Sequence, residues 1–330
     1  MKKEVLFYEK LDGETARCHV CPQNCRIEPD KRGVCRVRIN DAGTLYATNY
    51  GEVSSVALDP IEKKPLYHFY PGHMILSAGT LGCNLSCGFC QNHQIAHGEC
   101  PTRYISPEQM TALAVECKKD DSIGLAYTYN EPFMWYEYVH DTAPMIKEKG
   151  MQNVLVTNGY INPGPLKELI PWIDAVNIDL KSFNERFYLT NCKGRLEPVK
   201  ETIEFCASRV HVEVTNLIIP EENDRPEEIE GLASWLASIN PEIPLHLSRY
   251  HPAYNFNRPP TPLPALTMAQ EAARAHLKYV YVGNAPGFNN DTRCHNCGAT
   301  LVKREGYRIQ VENLDRRQCM NCGETVSIVN

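Results

Sequence analysis

The sequence predicts an α/β protein: a partial (β/α)6 TIM-like barrel set between an N-terminal and a C-terminal four-cysteine module. Three observations predict it. Short apolar runs alternate with helical stretches through the middle of the chain, polar motifs follow the ends of those runs, and most cysteines fall into three groups. Alternation of this kind argues for a parallel sheet wrapped by helices. Polar motifs at strand ends favour a barrel over a doubly wound sheet, because parallel barrels carry their sites there.

The first group lies in residues 1–65: Cys18, Cys21, Cys25 and Cys35, in a stretch containing Pro and Gly. Four thiols this close read as one metal centre, either zinc or a second, auxiliary iron–sulfur cluster.

Residues 66–288 form the barrel. Strands are expected at Met74–Ser77, Ile123–Tyr127, Asn153–Thr157, Ala175–Asp179, His211–Ile218, Leu245–Ser248 and Tyr279–Gly283. Helices are expected at Pro107–Lys119, Pro132–Lys149, Pro165–Ile170, Pro198–Ser208, Pro226–Ile239 and Met268–Leu277. Several open on Pro, which loses no hydrogen bond in a first turn. Six or seven strands, not eight, make the barrel incomplete.

Residues 289–330 hold Cys294, Cys297, Cys319 and Cys322, two CxxC pairs each followed by Gly. Two such knuckles around a hairpin-length segment signal a zinc ribbon, although rubredoxin iron uses the same four thiolates. Basic residues between the pairs, Lys303, Arg304, Arg308, Arg316 and Arg317, are interrupted by Glu305, Glu312 and Asp315, so the segment reads as a partner-docking or solvated face. Cys100, Cys117, Cys192 and Cys206 stand alone and read as bystanders.

Bulk properties narrow the function classes. The chain has 330 residues and a net charge of -6, so nothing in its balance draws it to nucleic acid or anionic lipid. The charged N-terminus lacks an apolar signal region, and no apolar run reaches membrane-spanning length. A cytoplasmic protein is expected, with cysteines that bind metal rather than form disulfides.

The central group carries the chemistry. Cys83, Cys87 and Cys90 form C-x3-C-x2-C in GTLGCNLSCGFCQN, after an apolar strand. Three thiolates can hold three irons of a [4Fe–4S] cube and leave the fourth iron open, whereas electron-transfer clusters use four cysteines. The competing reading is reduced structural thiols or part of a zinc site. Asn130-Glu131-Pro132 follows the second strand, and its carboxylate and amide could take an ammonium group. It could equally be a helix start capped by Asn130. Asn158 follows the third strand, and Asp179 and Lys181 follow the fourth. His251 follows the sixth strand, in SRYHP.

The CxxxCxxC loop resembles that of the radical S-adenosylmethionine (SAM) enzymes. VTNGY and NIDLKS resemble segments of glycyl-radical-enzyme activating enzymes. With the run Asp59–Gly72 and with CHVCPQNC, TYNEP, SRYHP and VGNAPG, the chain resembles the AmmeMemoRadiSam-system radical SAM enzymes, relatives of pyruvate formate-lyase activating enzyme. The resemblance implies a [4Fe–4S] cluster on Cys83, Cys87 and Cys90, and SAM held by Asn130, Glu131, Asn158, Asp179, Lys181 and His251. It implies reductive cleavage of SAM to methionine and a 5′-deoxyadenosyl radical, a low-potential electron donor, and association with Memo-like and AMMECR-type proteins. The radical would take hydrogen from a protein, peptide or small molecule. One position departs from the activase pattern: Val156 stands where an acidic residue is expected before TNG, leaving the SAM amine to Glu131, Asn130 or Asn158. The alternative is a non-catalytic adaptor that displays zinc modules to a partner.

Overall fold

A computed structural model describes residues 2–330. Its centre is an eight-stranded sheet in a single row. Ser55–Pro60 lies at one edge, then follow Met74–Gly79, Ser122–Tyr127, Gln152–Thr157, Ala175–Asp179, His211–Ile218, Leu245–Arg249 and Val280–Gly283. The last seven pair in parallel with their sequence neighbours. The parallel strands thus number seven rather than six. Ser55–Pro60 adds an antiparallel edge, with Ser55 opposite Gly79 and Pro60 opposite Met74. Leu125, Ala126 and Tyr127 are all fully buried, as expected where a parallel sheet is covered on both faces.

The helices follow their sequence signals with small shifts. Pro107–Glu116 opens on a capping box between Ser106 and Gln109. The stretch expected as one helix from Pro132 is a 3-10 turn, Pro132–Trp135, running into a helix at Tyr136–Glu148. The last helix starts earlier than expected, at Leu263, behind the extended Pro262.

The loop between Ser55–Pro60 and Met74–Gly79 reaches across to the other end of the row. His68 Nε2 lies 2.7 Å from Tyr281 Oη on the last strand. The backbone amides of Tyr67 and His68 donate to the buried carboxylate of Glu213 at 3.0 and 2.7 Å. His211 and His246 also reach Glu213, at 2.9 and 2.6 Å. Burial alone would raise the Glu213 pKa, but the hydrogen bonds from the two imidazoles draw it well below the usual carboxylate range.

The C-terminal segment docks beside this seam. Arg304 donates to the Tyr67 carbonyl at 2.6 Å and to Thr292 Oγ1 at 2.6 Å, with its guanidinium 4.4 Å from the Tyr67 ring centre. Arg304 is therefore buried and committed inside the fold, which removes it from the expected docking or solvated face. The Val329 amide donates to the His68 carbonyl at 2.8 Å, closing the chain end onto the same seam.

Candidate active site

A cleft of about 910 Å³ opens at the C-terminal ends of the parallel strands, and Cys83, Cys87 and Cys90 line it. The sequence forms this loop by turning sharply out of the strand Met74–Gly79. Gly82 has φ +90°, and a Cβ there would sit 2.7 Å from the Cys35 carbonyl oxygen. The tight passage requires glycine. A second backbone ladder supports the loop from outside: Ser86 and Gly88 amides donate to the Cys192 and Asn191 carbonyls at 2.8 and 3.0 Å. Phe89 packs against Phe187 and Phe256. Three soft thiols facing one cleft fit an iron–sulfur cluster with an open position. Burial holds the Cys83 and Cys90 thiols above their ordinary pKa, so a bound cation would supply the charge that stabilises their thiolates. The Cys87 thiol is raised first by its hydrogen bond to Cys192, then by burial.

Asn130, Glu131, Asn158, Asp179 and Lys181 line the same cleft. Their bonds divide them by task. Asn130 accepts from the Thr80 amide at 3.1 Å and donates to the Gly82 carbonyl at 2.8 Å, so it braces the cluster loop. The helix cap assigned to Asn130 belongs instead to Glu131, whose Oε1 accepts from the Phe133 amide at 3.0 Å. Glu131 also accepts from Thr157 Oγ1 at 2.7 Å and the Asn158 amide at 2.8 Å. A carboxylate has about four acceptor sites, so one direction stays free for a ligand cation. Burial pushes the Glu131 pKa up to about 7 against those donors. Asn158 donates to Asn84 Oδ1 at 2.9 Å and approaches Cys83 Sγ at 3.6 Å, turning toward the cluster loop.

Lys181 Nζ lies 2.7 Å from Asp179 Oδ2, with side-chain exposures of 18 % and 36 %. The Lys181 amide donates to Tyr188 Oη at 3.0 Å, and the Lys181 ammonium is near enough to Cys87 and Cys90 to favour their thiolates. His251 stands apart. It is exposed, and the residue from its segment that lines the cleft is Ser248.

Three contributors were not legible as site residues. Cys192, read as a bystander, is buried against Cys87. Asn84 ties Cys83 to the third strand's loop by donating to the Tyr160 carbonyl at 2.6 Å. Tyr129 adopts φ +74°, an uncommon conformation for a bulky residue. It turns Asn130 back onto the loop while its hydroxyl donates to Asp59 at 2.7 Å. The strand–motif spacing held the only sequence signal for it, in TYNEP.

Beside the first cleft lies a second of about 900 Å³ that shares Tyr129, Thr215, Ser248 and Asn284 with it. Its other walls include Lys64, His246 and Tyr307. Lys64 is buried and pairs with Asp59 at 2.8 Å.

The comparisons with known proteins agree with this geometry. The radical SAM superfamily profile matches residues 78–236. An uncharacterized protein of Methanocaldococcus jannaschii is 44 % identical over 99 % of both chains. The chain belongs to the radical SAM superfamily. Pyruvate formate-lyase-activating enzyme of Clostridium pasteurianum is 24 % identical over 52 % of this chain and 72 % of that one. Among solved structures, a radical SAM methyltransferase from Sphaerobacter thermophilus shares the fold, with TM-score 0.54 at 15 % identity over 87 % of this chain and 78 % of that one.

A separate four-cysteine centre occupies the C-terminal segment of this superfamily member. The sulfur atoms of Cys294, Cys297, Cys319 and Cys322 all lie within 4.8 Å of one another. Cys294–Cys322 and Cys297–Cys319 separations are 3.6 and 3.7 Å. A tetrahedral ion with bonds of about 2.3 Å needs sulfurs about 3.8 Å apart. Gly298 and Gly323 both have φ +75°, returning their amides to the Cys294 and Cys319 carbonyls at 2.9 and 2.8 Å. Asn321 donates to Cys297 Sγ at 3.3 Å, drawing that thiol's pKa down to about 6.

Proposed function

We propose that this protein is an activase-like radical SAM enzyme whose substrate is a protein, a peptide or a small molecule. The observation that carries the reading is the convergence of Cys83, Cys87 and Cys90 on the cleft that also holds Glu131 and Lys181. A [4Fe–4S] cluster on the three thiolates, reduced by a low-potential donor, would supply the electron that cleaves SAM to methionine and a hydrogen-abstracting 5′-deoxyadenosyl radical. Glu131, through its free acceptor direction, holds the SAM ammonium. Lys181 takes the SAM carboxylate as a point charge and Asp179 orients it. Asn158 and Asn130 keep the loop in register with these groups. Ser248, in the place given to His251, faces the ligand from the sixth parallel strand. The substrate reaches the reacting carbon through the adjoining cleft, because the two share four wall residues.

The C-terminal thiolates bind zinc in a closed structural site. The activase-like relative named above supports a macromolecular substrate, and Memo-like and AMMECR-type proteins are the proposed partners. Anaerobic reconstitution with iron and sulfide, followed by dithionite and SAM, tests the reading. Stoichiometric 5′-deoxyadenosine is expected. Its absence from a sample with a full iron complement, together with partner binding that survives Cys83→Ala, would identify an adaptor instead.

A further inference from the structure

The N-terminal cysteines form a second pocket, of about 330 Å³, lined by Cys18, Cys21, Cys25 and Cys35. None of the four is in a disulfide. The chain folds two turns around the pocket. Cys18 ends a strand and its amide donates to the Cys25 carbonyl at 3.0 Å, while the Gly33 amide donates to the Arg38 carbonyl at 2.9 Å and carries Cys35 around the other side. The spacing differs from that of the C-terminal centre. Among the described residues, only the C-terminal cysteines bring their ligand atoms within 4.8 Å of one another. The N-terminal thiols share one pocket without that close grouping, as Cys83, Cys87 and Cys90 do in the first cleft.

A second observation is independent of the thiols. Arg38 also lines the pocket and is 1 % exposed, yet none of its three guanidinium nitrogens has a hydrogen-bond acceptor. Its ion-pair partner is Glu137, 2.7 Å from Nη2 but out of line for a hydrogen bond. A buried guanidinium with unused donors requires acceptors. Thiolates and the inorganic sulfides of a bound cluster would supply them.

We infer that Cys18, Cys21, Cys25 and Cys35 hold a [4Fe–4S] cluster rather than zinc, with Arg38 as its buried counter-cation. All four irons are then coordinated by protein, so this cluster carries electrons and binds no SAM. Its place gives it a task. Asn84 lines this pocket and is the neighbour of Cys83, and Gln23 donates to the Asn84 carbonyl at 2.9 Å. The Cys35 carbonyl lies against Gly82. A one-electron, low-potential donor reduces the N-terminal cluster, and the electron passes on to the SAM-loop site with no atom transferred. This relay, unlike the cluster assignment, rests on the radical reading of the active site.

The test uses the full chain with Cys83, Cys87 and Cys90 all changed to alanine, so that radical chemistry plays no part. After anaerobic reconstitution, about four irons and four sulfides per chain are expected, with an S = 1/2 electron paramagnetic resonance signal on dithionite reduction. Retained zinc beyond one ion per chain, with no iron, would overturn the assignment. If that variant does not fold, Cys35→Ser in the otherwise native chain serves: iron should fall by half, and an unchanged iron content would refute the site. Arg38→Gln should move the remaining cluster's midpoint potential downward while Arg38→Lys moves it less, a readout that packing alone would not order this way. Equal potentials would remove Arg38 from the role. Spin coupling between the two reduced clusters of the native protein is expected, and its absence would exclude the relay while leaving the cluster.

Discussion

Glu131 is the residue on which SAM binding should depend most visibly with pH. Its carboxyl is buried, and its pKa is raised to about 7. Only the ionised form can hold an ammonium by charge, so SAM affinity should rise as pH increases through 7 and level off above it. Glu131→Gln should bind more weakly and lose that dependence; an unchanged profile in the variant would place the titration elsewhere. Lys181→Ala removes a charge-assisted contact worth about 1.5–3 kcal/mol. Calorimetry on anaerobically reconstituted protein should show SAM binding weakened about 10- to 100-fold with iron content unchanged. Their place in the cleft was legible because each follows a strand end, Glu131 the second and Lys181 the fourth. Asn84 and Cys192 were not, because their importance comes from which backbone they meet. Cys192 lies far from Cys87 in sequence and reaches it only when residues 188–192 fold back on the cluster loop.

Among the elements, the cluster loop joins two parts of the chain that look separate in the sequence. Gly82 contacts the Cys35 carbonyl and Val37 so closely that any side chain must displace them. With φ +90° added, Gly82→Ala should cost about 1–3 kcal/mol. Denaturant unfolding should show that loss, and iron analysis should show reduced loading at the CxxxCxxC site. Stability unchanged with full loading would mean that the loop and the N-terminal turn move independently. The parallel strands were readable from their apolar runs and their bounds moved by a residue or two. The antiparallel edge Ser55–Pro60 was not, since SVALDP lies beside a charged motif and pairs only through contacts with Met74–Gly79. The helix start at Pro132 was readable, but its cap moved from Asn130 to Glu131 because Tyr129 enters at φ +74°.

For the whole molecule, the seam between the loop at Tyr67–His68 and the last three strands decides how the parts hold together. Alternation of strands and helices announced the sheet but could not show how the loop at Tyr67 seals against it, because that depends on Tyr67, Glu213, Tyr281 and Arg304 arriving from four distant segments. Arg304 reads in sequence as one of several surface cations, yet it donates to Tyr67, Asn290 and Thr292. Arg304→Ala should destabilise the fold by about 2–4 kcal/mol, since it strands those acceptors. Hydrogen exchange should then rise along Thr300–Glu305 and at Tyr67 while the strands from Met74 to Asp179 stay protected. Lysine at 304 should rescue little, because it lacks the planar fork.

Glu213 governs the same seam's response to acid. Its pKa is lowered in the folded protein, so it binds fewer protons folded than unfolded. The stability it contributes is present above the unfolded carboxyl pKa of about 4.3 and is lost as pH falls below it. Glu213→Gln keeps the side chain's shape but removes the charge that faces His211, His246 and two backbone amides. Breaking a buried ionic network in this way costs about 3–5 kcal/mol. Urea unfolding at pH 7 should therefore separate wild type from variant by that order, and the gap should narrow at pH 4 and below. A gap of equal size at both pH values would mean that the carboxylate acts here by shape alone, and that the loop at Tyr67–His68 is held by Tyr281 and Arg304 without it.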